Sequence, residues 1–562
     1  VTPQSEPIPG SNQVKNSAGG FTWQIDDWAR LERFLILGSE GGTYYVNERK
    51  LTQDNATCVA RCIAQDGLRT VETIRAISEA GRAPKNDPAL FALAMCVSPP
   101  ADDATRAAAF AALPRVARIG THLLHFIAFM EQFRGWGKGP RKAVGAWFND
   151  KSPVDLAYQV TKYPSRDNWS MADALRLAHP TPASEDHARL YKYVVDNEYP
   201  GVSANSILVE GEEGLMKTGD FAVTKYMLGV LTLKEQKDPK AAAQCIADFK
   251  LPREVVPTEL LTSPDVWYAL LQSMPITAMV RNLATMTRVG LIGMMSEAAG
   301  TVADRLADTE RIRKSRIHPI QLLSAMLTYK SGHGNRGQNT WTPVQGVVDA
   351  LDGAFYTSFG NVEPSKARTL LALDVSGSMQ SGEVGGVMGL TPILAEAAMA
   401  MVTARVEPQH GFVAFSAGLR TRASMSRGGI TPMDVSPNMR LADVIKHMES
   451  YPMAGTDCAL PMLWAKENKV MADTFVIFTD NETWAGGVHP SQALRQYREA
   501  TGIQAKCIVV GMTATEFSIA DPNDSGMLDV VGFDTATPNV ISQFSRPVNA
   551  AFEPVAWQGE QE

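Results

Sequence analysis

The chain has 562 residues, of which 45% are hydrophobic and 20% charged, with a net charge of −7. It is too long for one core, so two or three globular domains are expected, and its composition is that of an ordinary soluble protein. The longest apolar runs, such as 123–130 and 475–478, fall far short of the ~20 residues a membrane helix needs, and the acidic balance excludes a protein that binds nucleic acid through its overall charge.

Residues 1–20, rich in Pro, Ser and Asn, read as a flexible tail. They contain neither a basic region nor an apolar core, so they are not a signal peptide. From 21 to 366 the apolar spacing is helical almost throughout. Segments 27–37, 56–65, 70–79, 88–97, 103–113 and 121–133 place apolar residues at i, i+3, i+4 and i+7. Short breaks carrying Gly or Pro separate them, at 81–84, 98–100 and 135–140. Many medium helices joined by short turns predict helix pairs stacked as an α-solenoid of HEAT type. Near 363–367 the period changes. Segments 369–373, 411–415, 474–478 and 505–510 are short apolar runs that read as buried strands. Helical stretches at 392–405, 440–449, 457–468 and 490–500 alternate with them, which predicts a doubly wound α/β domain over 367–546, followed by a tail at 547–562. The six cysteines (Cys58, Cys62, Cys96, Cys245, Cys458 and Cys507) are scattered without a CxxC pair, as buried thiols of a reducing compartment would be. A cytoplasmic protein is expected.

Three segments of the α/β domain carry oxygen ligands. Asp374-Val375-Ser376-Gly377-Ser378 follows the first strand, Gly455-Thr456-Asp457 opens a helix, and Thr479-Asp480 ends a later strand. All fall at carboxyl ends of strands or in adjacent loops, where open α/β sheets place their ligands. Hydroxyls and carboxylates without His or Cys form the hard donor set that Mg²⁺ prefers. The DxSxS motif alone suits a turn whose Asp caps the next helix equally well. Its combination with the Thr loop and the strand-end Asp predicts that Asp374, Ser376, Ser378, Thr456 and Asp480 hold Mg²⁺ or another divalent cation.

Local charge runs against the global balance between Arg134 and His179, where eight Lys/Arg face four Asp. Phosphate affinity follows local charge, so this stretch is a candidate nucleic-acid surface. The loop from Arg134 through Trp136 to Lys138, Arg141 and Lys142 reads as a phosphate clamp with an aromatic for stacking. Lys162 and Arg166, four apart, would share a helical face, although Pro164 shortens or bends that turn. A second cluster, Arg311, Arg313, Lys314 and Arg316, reads equally as a solvated helix face. His122 and His125, inside an apolar run, read as core histidines. The glycines of 382–389 include no GxxxxGK[ST], so a nucleotide-binding P-loop is unsupported, and no carboxylate pair suggests a nuclease. The chain is therefore read as a binding protein, not an enzyme.

The stretches LALDVSGSM, AGTDCALPMLWA, FVIFTDNETWAGGVHP, GGFTWQIDDWARLERFLILGSEGGTYYV, VTKYPSRDNWSMADALRLAHP and RIHPIQLLSAMLTYKSGHG closely resemble the Ro ribonucleoprotein family over about residues 19–545. The alanine-rich composition is more like that of a bacterial member. The resemblance implies a TROVE domain of HEAT-like helices bent into a ring and closed by a von Willebrand factor A domain. It also implies binding of Y-like small noncoding RNAs on an outer basic surface, to which Lys162, Arg166 and His179 carry over by motif. Single-stranded 3′ ends of defective RNAs would enter the central hole, for RNA quality control alongside a 3′ exoribonuclease such as polynucleotide phosphorylase. The alternative is a protein-interaction scaffold whose A-domain metal binds an acidic partner residue.

Overall fold

The computed structural model describes residues 1–38, 51, 56–202, 221–334, 338–359, 362–380, 384, 390–417, 429–451, 455–513, 515–532 and 534–546. The expected tail at 547–562 and most of the 382–389 glycine run lie outside them. The strands in chain order are β1 (Val14–Lys15), β2 (Phe21–Gln24), β3 (Ser165–Arg166), β4 (Trp169–Ser170), β5 (Thr369–Asp374), β6 (His410–Phe415), β7 (Ile430–Met433), β8 (Thr474–Thr479), β9 (Lys506–Gly511), β10 (Phe517–Ser518) and β11 (Met527–Val531).

The first part of the chain is helical, and many of its helices begin at side-chain caps. Asp26 accepts from the Ala29 amide, Asp102 from Thr105 and Ser152 from Asp155. Each satisfies an amide that the first helical turn leaves without a partner, for about 1 kcal/mol. The two helices expected at 56–65 and 70–79 are one element, Thr57–Ala80, broken only at Asp66 (φ −158°, ψ 92°). Gly67 marks the break because the backbone there runs against Thr105; a Cβ would sit 2.0 Å from its hydroxyl. Helices pack on near neighbours along the chain. Thr57–Ala80 lies on Asp103–Val116, Asp87–Cys96 on Gly120–Phe133, and Lys138–Asn149 on Met171–Ala178. One hydrophobic core runs from Leu31 to Met227, and a second begins at Val230. Such stacking is that of a solenoid.

The α/β domain holds a six-stranded sheet in the order β11-β9-β8-β5-β6-β7. All pairings are parallel except β6–β7. Alternation along the strands separates two cores. Leu371, Leu373, Val476 and Phe478 join the core that begins at Val230, whereas Leu370, Ala372, Phe475 and Ile477 face the opposite layer with Leu494 and Tyr497. The second helical core and the α/β domain are therefore one continuous apolar body. Arg405 stacks 3.3 Å over the Tyr356 ring, and Arg440 pairs with Asp349 at 3.1 Å across the same junction.

The other end of the solenoid returns to the α/β domain. β2 pairs with β10, Arg30 pairs with Glu516 at 2.5 Å, and Arg82 pairs with Asp534 at 2.5 Å. Arg33, 1% exposed, is bound to Asp529 and donates to the Thr515 carbonyl (2.5 Å) and hydroxyl (2.9 Å). The two arms of the solenoid also touch directly. The Gln321 amide donates to the Pro84 carbonyl at 2.9 Å, and His318 Nδ1 accepts from the Ile320 amide at 3.2 Å. His318 Nε2 therefore carries the proton and donates to the Arg82 carbonyl at 3.0 Å. The chain closes into a ring of helices completed by the α/β domain.

The expectation for residues 1–20 needs correction. Gln4 is fully buried, Asn16 nearly so, and β1 pairs with β2. Polar composition suggested a flexible tail, but these side chains find buried partners on the α/β domain. All six cysteines are free and buried, and burial pushes the Cys62 thiol up to about 12. Among the described residues no helix is long and apolar enough to cross a membrane.

Candidate metal centre and nucleic-acid interface

Strand order runs outward from β5 in both directions, so the crevice between the ends of β5 and β8 is the switch point where such sheets bind ligands. Asp374 ends β5 and Asp480 follows β8. Asp374 is fully buried. Its Oδ1 accepts from the Ser376 amide at 2.9 Å and its Oδ2 from the Thr479 hydroxyl at 2.7 Å. The Ser376 and Ser378 hydroxyls lie 3.1 Å apart, and Asp480 Oδ1 accepts from the Glu482 amide at 3.0 Å. Burial, and then the Asp480 charge, raises the Asp374 pKa well above the usual carboxylate range. Burial also raises Asp480, with the Ser378 hydroxyl holding it back in part. The fold thus gathers Asp374, Ser376, Ser378 and Asp480. Thr456 is buried beside the same loop, its carbonyl accepting from the Trp484 and Ala485 amides at 3.1 Å each.

Two further carboxylates belong to this neighbourhood and were missed in the sequence. Glu396 is fully buried in the Pro392–Val406 helix, and its Oε2 accepts from the Asp374 amide at 3.2 Å. A lone acid within the apolar run 392–402 was the signal. Glu482, two residues beyond Asp480, is raised to about 7, chiefly by burial. Asp480 Oδ2, Glu396 Oε1 and Glu482 Oε1 are all buried without a hydrogen-bond partner. Uncompensated buried carboxylate oxygens are costly unless paired with charge. Among the described residues no three or more His, Cys, Asp or Glu form a metal-holding group, so any cation here depends on the hydroxyls as well.

The basic stretch is divided by the fold. Lys138, Arg141 and Lys142 open the Lys138–Asn149 helix and, with His179, line an open concavity of about 740 Å³. Gly145 lets Pro180 approach that helix, since a Cβ there would meet the proline at 3.1 Å. The Met171–Ala178 helix starts at a capping box of Ser170 and Asp173 and stops where His179 turns left-handed at φ 46°. His179 thereby faces the three cations.

Lys162 and Arg166 do not share a helical face. The Pro153–Lys162 helix ends before Pro164, and Asp167 (φ 52°) and Asn168 (φ 63°) form the two-residue turn of a β3–β4 hairpin. The Asp-Asn pair before Trp169 was the legible sign of it. Lys162 donates to the Tyr158 hydroxyl at 2.6 Å and lies over the Tyr158 and Tyr163 rings. Arg166 lines a different cavity, of about 660 Å³, between the two arms of the ring. Lys85, His122 and Tyr163 line it from the same arm, and Arg281, Gln321 and Thr328 from the other.

The clamp reading of the 134–138 loop also changes. Arg134 donates to the Val97 carbonyl at 2.6 Å, and Trp136 packs against Trp169 with centroids 5.9 Å apart. The indole is half-buried in that contact, so one part of its surface is already packed. Arg311 and Arg313 pair with Asp308 (3.6 Å) and Glu310 (3.2 Å), as a solvated face would. His125, bound to Asp167, and His122, lowered to about 3 chiefly by burial, border cavities as well as core.

A helical ring closed by an A-type α/β domain, with hydroxyls and carboxylates at the sheet's switch point, defines a class of ring proteins built from TROVE and von Willebrand A domains. The signature of the TROVE domain matches residues 14–203 and 249–367, and that of the Ro60 vWA domain matches 368–545. RNA-binding protein RO60 of Deinococcus radiodurans is 42% identical over 547 residues, covering 97% of each chain. The Caenorhabditis elegans RNA-binding protein RO60 is 34% identical over 592 residues, covering 95% of this chain and 90% of its own. The crystal structure of the D. radiodurans RO (RSR) protein superposes with a TM-score of 0.69 at 41% identity, covering 93% of this chain and 99% of that one. The chain belongs to the Ro family.

Proposed function

We propose that this protein is an RNA-binding ring. It holds the helical part of a structured RNA, including Y-like small noncoding RNAs, against its outer basic concavity, and it admits single-stranded 3′ ends of defective RNAs between its arms. The observation that carries this reading is the pairing of two cationic surfaces of different shape. Lys138, Arg141, Lys142 and His179 line an open concavity, whereas Lys85, Arg166 and Arg281 line a deeper cavity with walls from both arms. A shallow open surface suits a duplex; a deeper cleft with two walls suits a single strand. The protein acts by binding, in the cytoplasm, in RNA quality control, and hands its RNA to a 3′ exoribonuclease such as polynucleotide phosphorylase. The two relatives named as RNA-binding proteins support the RNA reading. One helix prepared with a 3′ tail, with a 5′ tail and blunt, and competed at several salt concentrations, tests it. The 3′-tailed form is expected to bind tightest, and equal affinity for all three would leave outer-surface binding alone.

The same reading gives the switch-point cluster a Mg²⁺ or other divalent cation, held by Asp374, Ser376, Ser378, Thr456 and Asp480 directly or through water. The partnerless Asp480 Oδ2 and Glu396 Oε1 fit a cation, and the hydroxyl and carboxylate donors are hard oxygen. A bound cation would supply a coordination position for a ligand's carboxylate or phosphate. Asp374→Ala should abolish Mg²⁺ uptake in calorimetry with the far-ultraviolet spectrum unchanged; uptake at wild-type affinity would refute the site. A variant that loses the cation yet binds RNA normally would favour the second reading, a scaffold that engages an acidic residue of a protein partner.

A further inference from the structure

Residues 1–24 are stitched to the loop that follows Asp480. The Gln4 side chain uses its full hydrogen-bonding capacity there. Its Nε2 donates to Asp457 Oδ1 at 2.7 Å and the Val488 carbonyl at 2.8 Å, and its Oε1 accepts from the Thr483 hydroxyl at 2.6 Å and the Gly486 amide at 3.2 Å. The Gln4 amide donates to the Gly486 carbonyl at 2.9 Å, and its carbonyl accepts from Phe21 at 2.8 Å. Asn16 Nδ2 donates to the Thr483 carbonyl at 2.8 Å, and the Ala18 amide to Glu482 Oε2 at 2.9 Å. Gly20 lies so close that a Cβ would fall 2.0 Å from the Thr483 carbonyl oxygen, so only glycine fits.

The residues gripped are the neighbours of both halves of the metal cluster. Thr483 accepts from the Cys458 amide at 3.1 Å, and Trp484 and Ala485 hold the Thr456 carbonyl. The 482–486 loop therefore helps to fix the place of Thr456 relative to Asp480. The same segment continues into β2, its pairing with β10, and the Asp27–Leu37 helix that carries Arg30 and Arg33 into the ring's seam.

We propose that residues 3–20 act as a strap that positions the cation ligands and couples cation binding to closure of the ring. This rests on the cation reading of the switch-point cluster. A cation that needs both Asp480 and Thr456 binds more weakly when the loop between them is free to move, because binding must then also order that loop. Linkage is reciprocal: whatever factor strap docking adds to cation affinity, the cation adds to strap docking. Gln4 and Asn16 are positioning residues in this scheme; neither touches the ion.

The test uses the full chain. Mg²⁺ and Mn²⁺ are titrated by calorimetry into wild type, Gln4→Ala, Asn16→Ala and Asp374→Ala, and amide hydrogen exchange over residues 4–21 is followed with and without saturating Mg²⁺. The strap predicts a cation Kd raised about tenfold or more in Gln4→Ala and Asn16→Ala. It also predicts exchange slowed severalfold by Mg²⁺ in wild type and unaffected in Asp374→Ala. A purely structural role would lower the melting temperature of Gln4→Ala while leaving the cation Kd and the Mg²⁺ effect on exchange unmoved, and that result overturns the strap alone. Absence of cation uptake by wild type overturns the cation reading and the strap together. Exchange in the wild type decides the matter if the variants fail to fold.

Discussion

Arg33→Ala is expected to destabilise the closed ring by about 3–5 kcal/mol, the cost of stranding the partner of a buried ion pair. Arg33 is 1% exposed and its guanidinium serves Asp529 together with the carbonyl and hydroxyl of Thr515. Its removal leaves Asp529 with the Ser518 hydroxyl at 2.5 Å and no countercharge. Because the pair joins the first helix to the α/β domain, the loss falls on the seam and not on either core. Limited proteolysis near residues 20–38, and small-angle scattering for a widened ring, should register it before global unfolding does. A double-mutant cycle isolates the cause. Arg33→Met with Asp529→Leu removes both charges and should recover much of the stability, because apolar packing often replaces a buried pair without loss. Equal destabilisation by the single and double changes would mean that the seam is held by shape and not by this pair.

The triple change Lys138→Ala/Arg141→Ala/Lys142→Ala should weaken binding of a Y-like stem about 100-fold at 0.15 M salt. Three lost phosphate contacts, at ~0.9 each by analogy with duplex DNA, flatten the logarithmic salt dependence by about 2.7. All three side chains are exposed at the start of one helix, so the fold should be untouched. A Lys162→Ala/Arg166→Ala variant separates the two surfaces. Arg166 borders the cavity between the arms and Lys162 is occupied with Tyr158, so this pair should affect a 3′-tailed RNA more than a blunt stem. A triple variant with an unchanged salt slope would return those residues to an ordinary solvated face.

The architecture was largely legible because it rests on periodicity. Apolar spacing marked the helices, short apolar runs marked β5, β6, β8 and β9, and the place of Asp374 and Asp480 at carboxyl ends of strands followed from those runs. Local chemistry was legible where a motif carries it, as in DxSxS. It was misread where two local signals competed. Lys162 and Arg166 sit at helical spacing, but Pro164 and the Asp167-Asn168 turn override it. Glu396 and Gln4 show what spacing cannot reveal, since each is defined by partners far along the chain.

By itself, then, the sequence determined which segments are helix and strand, the family to which the chain belongs, and the separate short motifs that supply hydroxyls and carboxylates to the switch-point cluster, each encoded within a few residues. Tertiary structure alone decided how the basic residues divide between two separate concavities, and that Trp136 packs in part against Trp169. It also decided that Gln4 and Asn16, inside a polar N-terminal segment, are buried against the α/β domain. Those outcomes depend on contacts spanning up to 490 residues, such as Thr2 with Gln492, and the free energy of burying a polar group depends on whether a partner arrives from elsewhere in the fold.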